Sequence, residues 1–169
     1  MGGVGIEGVP SRPGAAAKRE VLIDRRGSFT LCVDISLGSG TATDPLIALS
    51  GVKPDAGNDL NGTWTTVYDK PFTRPRGGDV LVVGGSLQTP PPGGPELHPF
   101  QVYGLSGPAV TGVDVVLTNG LRVTASLRDG IWGAWWPSDK GDPTGCRLQV
   151  RTAAGLATVD PYANRIVFD

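Results

Sequence analysis

Residues 117–137 read "LTNGLRVTASLRDGIWGAWWP", and the register of the two turns in this stretch decides the fold. Asn119-Gly120 and Asp129-Gly130 are hairpin signals, each flanked by β-branched and apolar residues. A two-residue turn at Asn119-Gly120 would place Asp114 on one face with Val123, Ala125 and Leu127. A three-residue loop, Thr118-Asn119-Gly120, with Gly120 supplying the positive φ of a bulge, pairs Leu117 with Leu121, Val115 with Val123 and Val113 with Ala125. The bulged form is expected, because it keeps a carboxylate off the core face.

At Asp129-Gly130 a two-residue turn puts Trp132, Ala134 and Trp136 on the face of Leu127, Ala125 and Val123, and leaves Trp135 with Thr124 and Ser126. The three-residue alternative would bury Ile131 and Trp135 and expose two indoles. An aromatic side chain buries roughly 150–250 Å² at about 25 cal/mol per Å², so the two-residue register is favoured unless something covers the other face. Three of the four tryptophans are therefore read mostly as core, with Trp135 the exposed member. Trp135 beside the Thr124 and Ser126 hydroxyls is the candidate binding surface, suited to a sugar ring or a polar interface.

The period of two extends outward from this stretch. "EVLIDRR", "SFTLCVDIS", "LIALSGV", "TWTTVYD", "DVLVVGG", "FQVYG", "CRLQVRT" and "NRIVFD" are short, rich in β-branched or aromatic residues, and bounded by Gly, Pro, Asp or Asn. The chain is expected to be all-β, an antiparallel β-sandwich (Ig-like or related) of about ten short strands, with a β-barrel as the alternative. The 26 glycines and 15 prolines fall between these runs, as turns require. With 169 residues the chain suits one domain with a full core.

Residues 1–19 lack apolar periodicity and read as a flexible N-terminal arm, leaving residues 20–169 as a single sandwich domain. The arm holds a formal GxGxxG, Gly3 to Gly8, but neither the preceding strand nor the following helix that makes such a motif bind a dinucleotide. No cofactor is expected. Residues 88–99, "QTPPPGGPELHP", read as an irregular loop, because proline removes ladder donors.

A net charge of -1 with scattered basic residues argues against nucleic acid as a partner. The apolar runs are too short to cross a bilayer, and no secretion signal opens the chain. Cys32 and Cys146, the two cysteines, could staple the first part of a sandwich to its last. Such a disulfide, worth about 4–5 kcal/mol in the chain-entropy model, would imply an oxidising compartment. Strand alternation, however, puts Cys32 opposite Leu31 and Val33, so two separate thiols are the competing reading. Asp139 and Asp142 in "PSDKGDPTG" are a weak pair of metal ligands for calcium, without EF-hand spacing.

No catalytic residues emerge. Histidine chemistry would rest on His98 alone, and no Gly-x-Ser-x-Gly elbow is present. Most aspartates, Asp24, Asp44, Asp55, Asp59, Asp69 and Asp129 among them, sit where turns use them for local hydrogen bonds.

The run "VYGLSGPAVTGVDVVLTNGLRVTASLRDGIWGAWWP", with the preceding "VLIDRRGSFTLCVDIS" and the following "GCRLQVRT", resembles extracytoplasmic domains of uncharacterised actinobacterial envelope proteins carrying a GPxVTxVxxxL…GxWxAWWP pattern. The resemblance spans Glu20 to Thr152 and is specific around residues 103–137. It implies a β-rich fold outside the membrane, and it carries no functional residues. Such proteins usually have an N-terminal membrane anchor. This chain begins at Met1 without one, which admits either a start inside a longer gene or a cytoplasmic product.

The function expected is a non-enzymatic envelope module that binds a protein or glycan partner, or is structural there. The alternative is a polysaccharide-active enzyme or a carbohydrate-binding domain using the Trp132–Trp136 region. The enzyme would need two carboxylates about 5–9.5 Å apart across a groove.

Overall fold

The two hairpins form in the registers their sequence favours. Leu117 N donates to Leu121 O at 2.8 Å and Gly120 N to Leu117 O at 3.0 Å, with Gly120 at φ 87°. Val115 then pairs with Val123, and Ala125 N donates to Val113 O at 2.8 Å. In the second hairpin Asp129 and Gly130 take φ 51° and 79°, the two positive values of a two-residue turn. Trp132 accordingly faces Leu127 across the pair.

A computed structural model describes residues 18–27, 29–37, 46–54, 61–68, 72–85, 99–163 and 165–166. The GxGxxG segment, His98 and most of the proline-rich loop lie outside the described residues. The strands are β1 (Lys18–Arg26), β2 (Phe29–Leu37), β3 (Leu46–Pro54), β4 (Asn61–Tyr68), β5 (Val80–Gly85) and β6 (Pro99–Ser106). They continue with β7 (Val110–Val116), β8 (Arg122–Thr124), β9 (Ser126–Arg128), β10 (Ile131–Pro137), β11 (Arg147–Thr152) and β12 (Gly155–Val159). One 3-10 turn, Ser138–Lys140, is the only helical element among the described residues, and no described helix is long and apolar enough to cross a membrane.

Among the described residues there are twelve strands where about ten were expected, for two reasons. The run "LRVTASLR" divides at Ala125 into β8 and β9, which belong to different sheets, as happens where a strand turns a sandwich corner. β12, "GLATV", is an exposed edge strand whose small residues give little alternation to read. β1 begins at Lys18, inside the segment read as an arm, and β6 begins at Pro99, the last residue of the segment read as a loop.

The strands form three open antiparallel sheets, β1-β2-β3-β4, β5-β6-β10-β9 and β12-β11-β7-β8. The chain is an antiparallel β-sandwich, and none of these sheets closes into the alternative barrel. The middle and third sheets enclose one core, with Val82, Val102, Trp132, Ala134 and Trp136 facing Val113, Val115, Val123, Leu148 and Val150. Trp132 is fully enclosed, and its indole donates to Leu105 O at 3.0 Å.

A second core lies on the opposite face of the middle sheet. Leu22, Leu31, Val33 and Ile35 of the first sheet pack onto Val83, Tyr103, Leu105, Ile131 and Trp135. The stack thus has three layers, with the middle sheet covered on both faces. This explains why "IWGAWWP" is apolar without alternation: a strand buried on both sides has no polar face to show.

Candidate functional site

The extra layer overturns the reading of Trp135 as the exposed indole. Its relative exposure is 6%, and the Phe29 ring lies 5.6 Å from it, centroid to centroid. The two-residue turn does place Trp132 and Trp136 in the sandwich core, and the first sheet covers the face that this register would otherwise leave open. Thr124 is exposed on β8 of the third sheet, whereas Ser126 is half-buried on β9 of the middle sheet. The corner at Ala125 separates them, so Trp135, Thr124 and Ser126 form no common surface.

The disulfide is likewise absent. Cys32 and Cys146 are free thiols, the first exposed and the second buried. Cys32 alternates with the buried Leu31 and Val33 and so lies on the outer face of the first sheet. Cys146 belongs to the core between the middle and third sheets. A whole sheet lies between them, whereas a disulfide needs Cα atoms within about 7 Å. Burial pushes the Cys146 thiol up to about 11 from 9.0. The folded state holds that proton more tightly than the unfolded chain does. Its contribution to stability is therefore complete below pH 9 and is lost as pH rises through about 11. In a native thiol assay at pH 8, Cys32 is expected to react and Cys146 to react only after denaturation. Two rapidly reacting thiols in the folded protein would contradict this placement.

Asp139 and Asp142 serve different local roles. Asp139 lies 3.4 Å from Lys140 Nζ, and Asp142 Oδ1 accepts from Thr144 N at 2.7 Å, closing its own turn. Among the described residues no three His, Cys, Asp or Glu side chains gather in a way that could hold a metal ion.

The most developed polar constellation was not anticipated. The bulged hairpin keeps Asp114 off the sandwich core, on the outer face of the third sheet, paired with Thr124 of β8 and Gln149 of β11. Asp114 is nevertheless only 2% exposed, because two arginines lie over it. Arg122 Nη1 meets Asp114 Oδ2 at 3.0 Å, and Arg151 Nη2 meets Oδ1 at 3.5 Å. Arg122 Nη1 also donates to Gln149 Oε1. Gly112 makes room for the second arginine: a Cβ there would stand 2.5 Å from Arg151 Nη2.

The arginine side chains themselves remain about half exposed, 49% for Arg122 and 48% for Arg151. Arg147 follows the same alternation on β11 and lies 3.9 Å from Asp160. The face thus presents guanidinium donors held by a buried carboxylate, an arrangement suited to accepting oxygen ligands.

The local signal in the sequence was "DVVLTNGLR", an acid and a base on the same side of a hairpin. Arg151 could not be inferred, because it arrives through the pairing of β7 with β11. Elsewhere an open cleft of about 350 Å³ is lined by residues including Arg74, Asp79 and Arg165. Among the described residues Asp79 is the one carboxylate on its lining. Comparison with known protein families, curated proteins and solved structures finds no match to this chain.

Proposed function

We propose that this chain is a non-enzymatic binding module of the cell envelope, and that its contact surface is the outer face of the third sheet. The observation that carries the reading is the buried Asp114 holding two half-exposed guanidiniums in place. The arginines that cover the carboxylate also compensate its charge, and the pairing orients their remaining donors toward solvent. Extracytoplasmic placement rests on the resemblance of residues 103–137 to actinobacterial envelope domains. Trp132, Trp135 and Trp136 contribute rigidity by filling two cores.

Co-sedimentation of the full chain with insoluble cell-wall material, followed by assay of the supernatant for released reducing ends, tests this reading. Retention without release is expected, and retention should fall when Arg122 and Arg151 are both replaced by glutamine. Release that grows with time and protein concentration would make the chain an enzyme and remove the proposal. Retention unchanged in the double variant would move the contact surface elsewhere.

A further inference from the structure

We infer that Arg122 and Arg151 form a clamp for the oxyanion groups, carboxylate or phosphate, of an acidic polymer laid across the third sheet. This rests on the binding-module reading and names its ligand class. Among the described residues, the hydrogen bonds from the two arginines to side chains use Nη1 of Arg122 and Nη2 of Arg151. Nε and Nη2 of Arg122 form the edge that grips a carboxylate or phosphate through two parallel bonds, while Arg151, whose Nη2 meets Asp114, offers Nη1 for a single charge-assisted bond.

Charge points the same way. Two cations on one carboxylate leave an excess of one positive charge at the centre of the face, whereas a neutral ligand needs no such excess. Because Asp114 is buried beneath the arginines, it fixes their positions without confronting an arriving anion directly. Arg147, Gln149 and Arg151 alternate along one face of β11, and the first and last are separated by roughly 13–14 Å at about 3.4 Å per residue. A row of donors of that length fits a repeating chain better than a single small ion.

Calorimetric titration of the full chain with oligogalacturonate, with inorganic polyphosphate and with neutral malto-oligosaccharide tests the clamp. Binding of oligogalacturonate or polyphosphate is expected, with the preferred one identifying carboxylate or phosphate as the natural group, and it should weaken as salt is raised. Arg122→Lys keeps the charge but loses the fork and should weaken that binding by about tenfold, and Arg151→Lys, which gives up the single directed Nη1 bond, should weaken it by about threefold. Asp114→Asn separates a clamp from diffuse attraction. It adds one positive charge to the face, so diffuse attraction would tighten binding, whereas a positioned clamp loosens several-fold once its anchor is gone.

Folding of each variant is checked by near-ultraviolet circular dichroism. The lysine variants keep the ion pairs and decide the matter even if Asp114→Asn fails to fold. Equal anion binding by wild type and both lysine variants overturns the clamp. So does binding of the neutral oligosaccharide alone; if that is lost on Arg122→Gln/Arg151→Gln replacement, the binding-module reading stands. No binding by any of the three ligands also overturns the clamp, and the sedimentation assay then decides the module reading separately.

Discussion

Replacing Trp135 by alanine is expected to destabilise the fold by about 3–5 kcal/mol, the range for removing a large aromatic side chain from a core. The indole is 6% exposed and belongs to the core shared by the first and middle sheets, with Leu31, Val33, Tyr103 and Ile131. Its loss removes burial and leaves a cavity in a layer that is otherwise filled. At a surface platform the same change would stay within about 0.5 kcal/mol. Urea unfolding of wild type and variant measures the difference, and a change below 1 kcal/mol would mean that the first sheet does not cover this face.

A phenylalanine comparison sharpens the point. Among the described residues the Trp135 indole N–H has no acceptor, whereas that of Trp132 donates to Leu105 O at 3.0 Å. An orphaned buried donor is itself unfavourable. Trp135→Phe should therefore cost less than Trp132→Phe, although both lose similar area.

The second large effect is expected at Asp114. Removing both Arg122 and Arg151 by alanine substitution leaves its carboxylate without either cation. The expected cost is about 3 kcal/mol, the low end for breaking a buried ion pair, because each guanidinium is half exposed and its removal lets water in. Adding Asp114→Asn should recover at least half of that loss, since a neutral amide tolerates the site better than an unpaired anion. Denaturant unfolding of the double and triple variants checks this. If the triple variant is no more stable than the double, the arginines stabilise the face by packing alone rather than by compensating charge.

Much of the strand pattern was legible because its causes are local. Asn119-Gly120 and Asp129-Gly130 fix their hairpins through backbone angles that glycine and aspartate can adopt. Placing Trp132 in the core followed from that register, and alternation alone put Cys32 on the face away from Leu31 and Val33. The candidate site was only half legible. Asp114 and Arg122 are eight residues apart on one hairpin, but Arg151 lies 37 residues from Asp114 and reaches it through strands that are not consecutive in the chain. The two unbroken apolar runs "VLVVGG" and "IWGAWWP" did carry a signal of a sheet buried on both faces, since each supplies a strand of the middle sheet.

By itself the sequence determined the antiparallel β class, the two hairpin registers and the division of side chains between the faces of each strand. These follow from period-two geometry and turn chemistry, which act over a few residues. Only the tertiary structure decided what lies against each face: the first sheet over Trp135, a whole sheet between Cys32 and Cys146, and a second arginine over Asp114. Burial depends on which surfaces meet in space, and the hydrophobic contacts that choose among those meetings are non-directional and act between segments far apart in the chain.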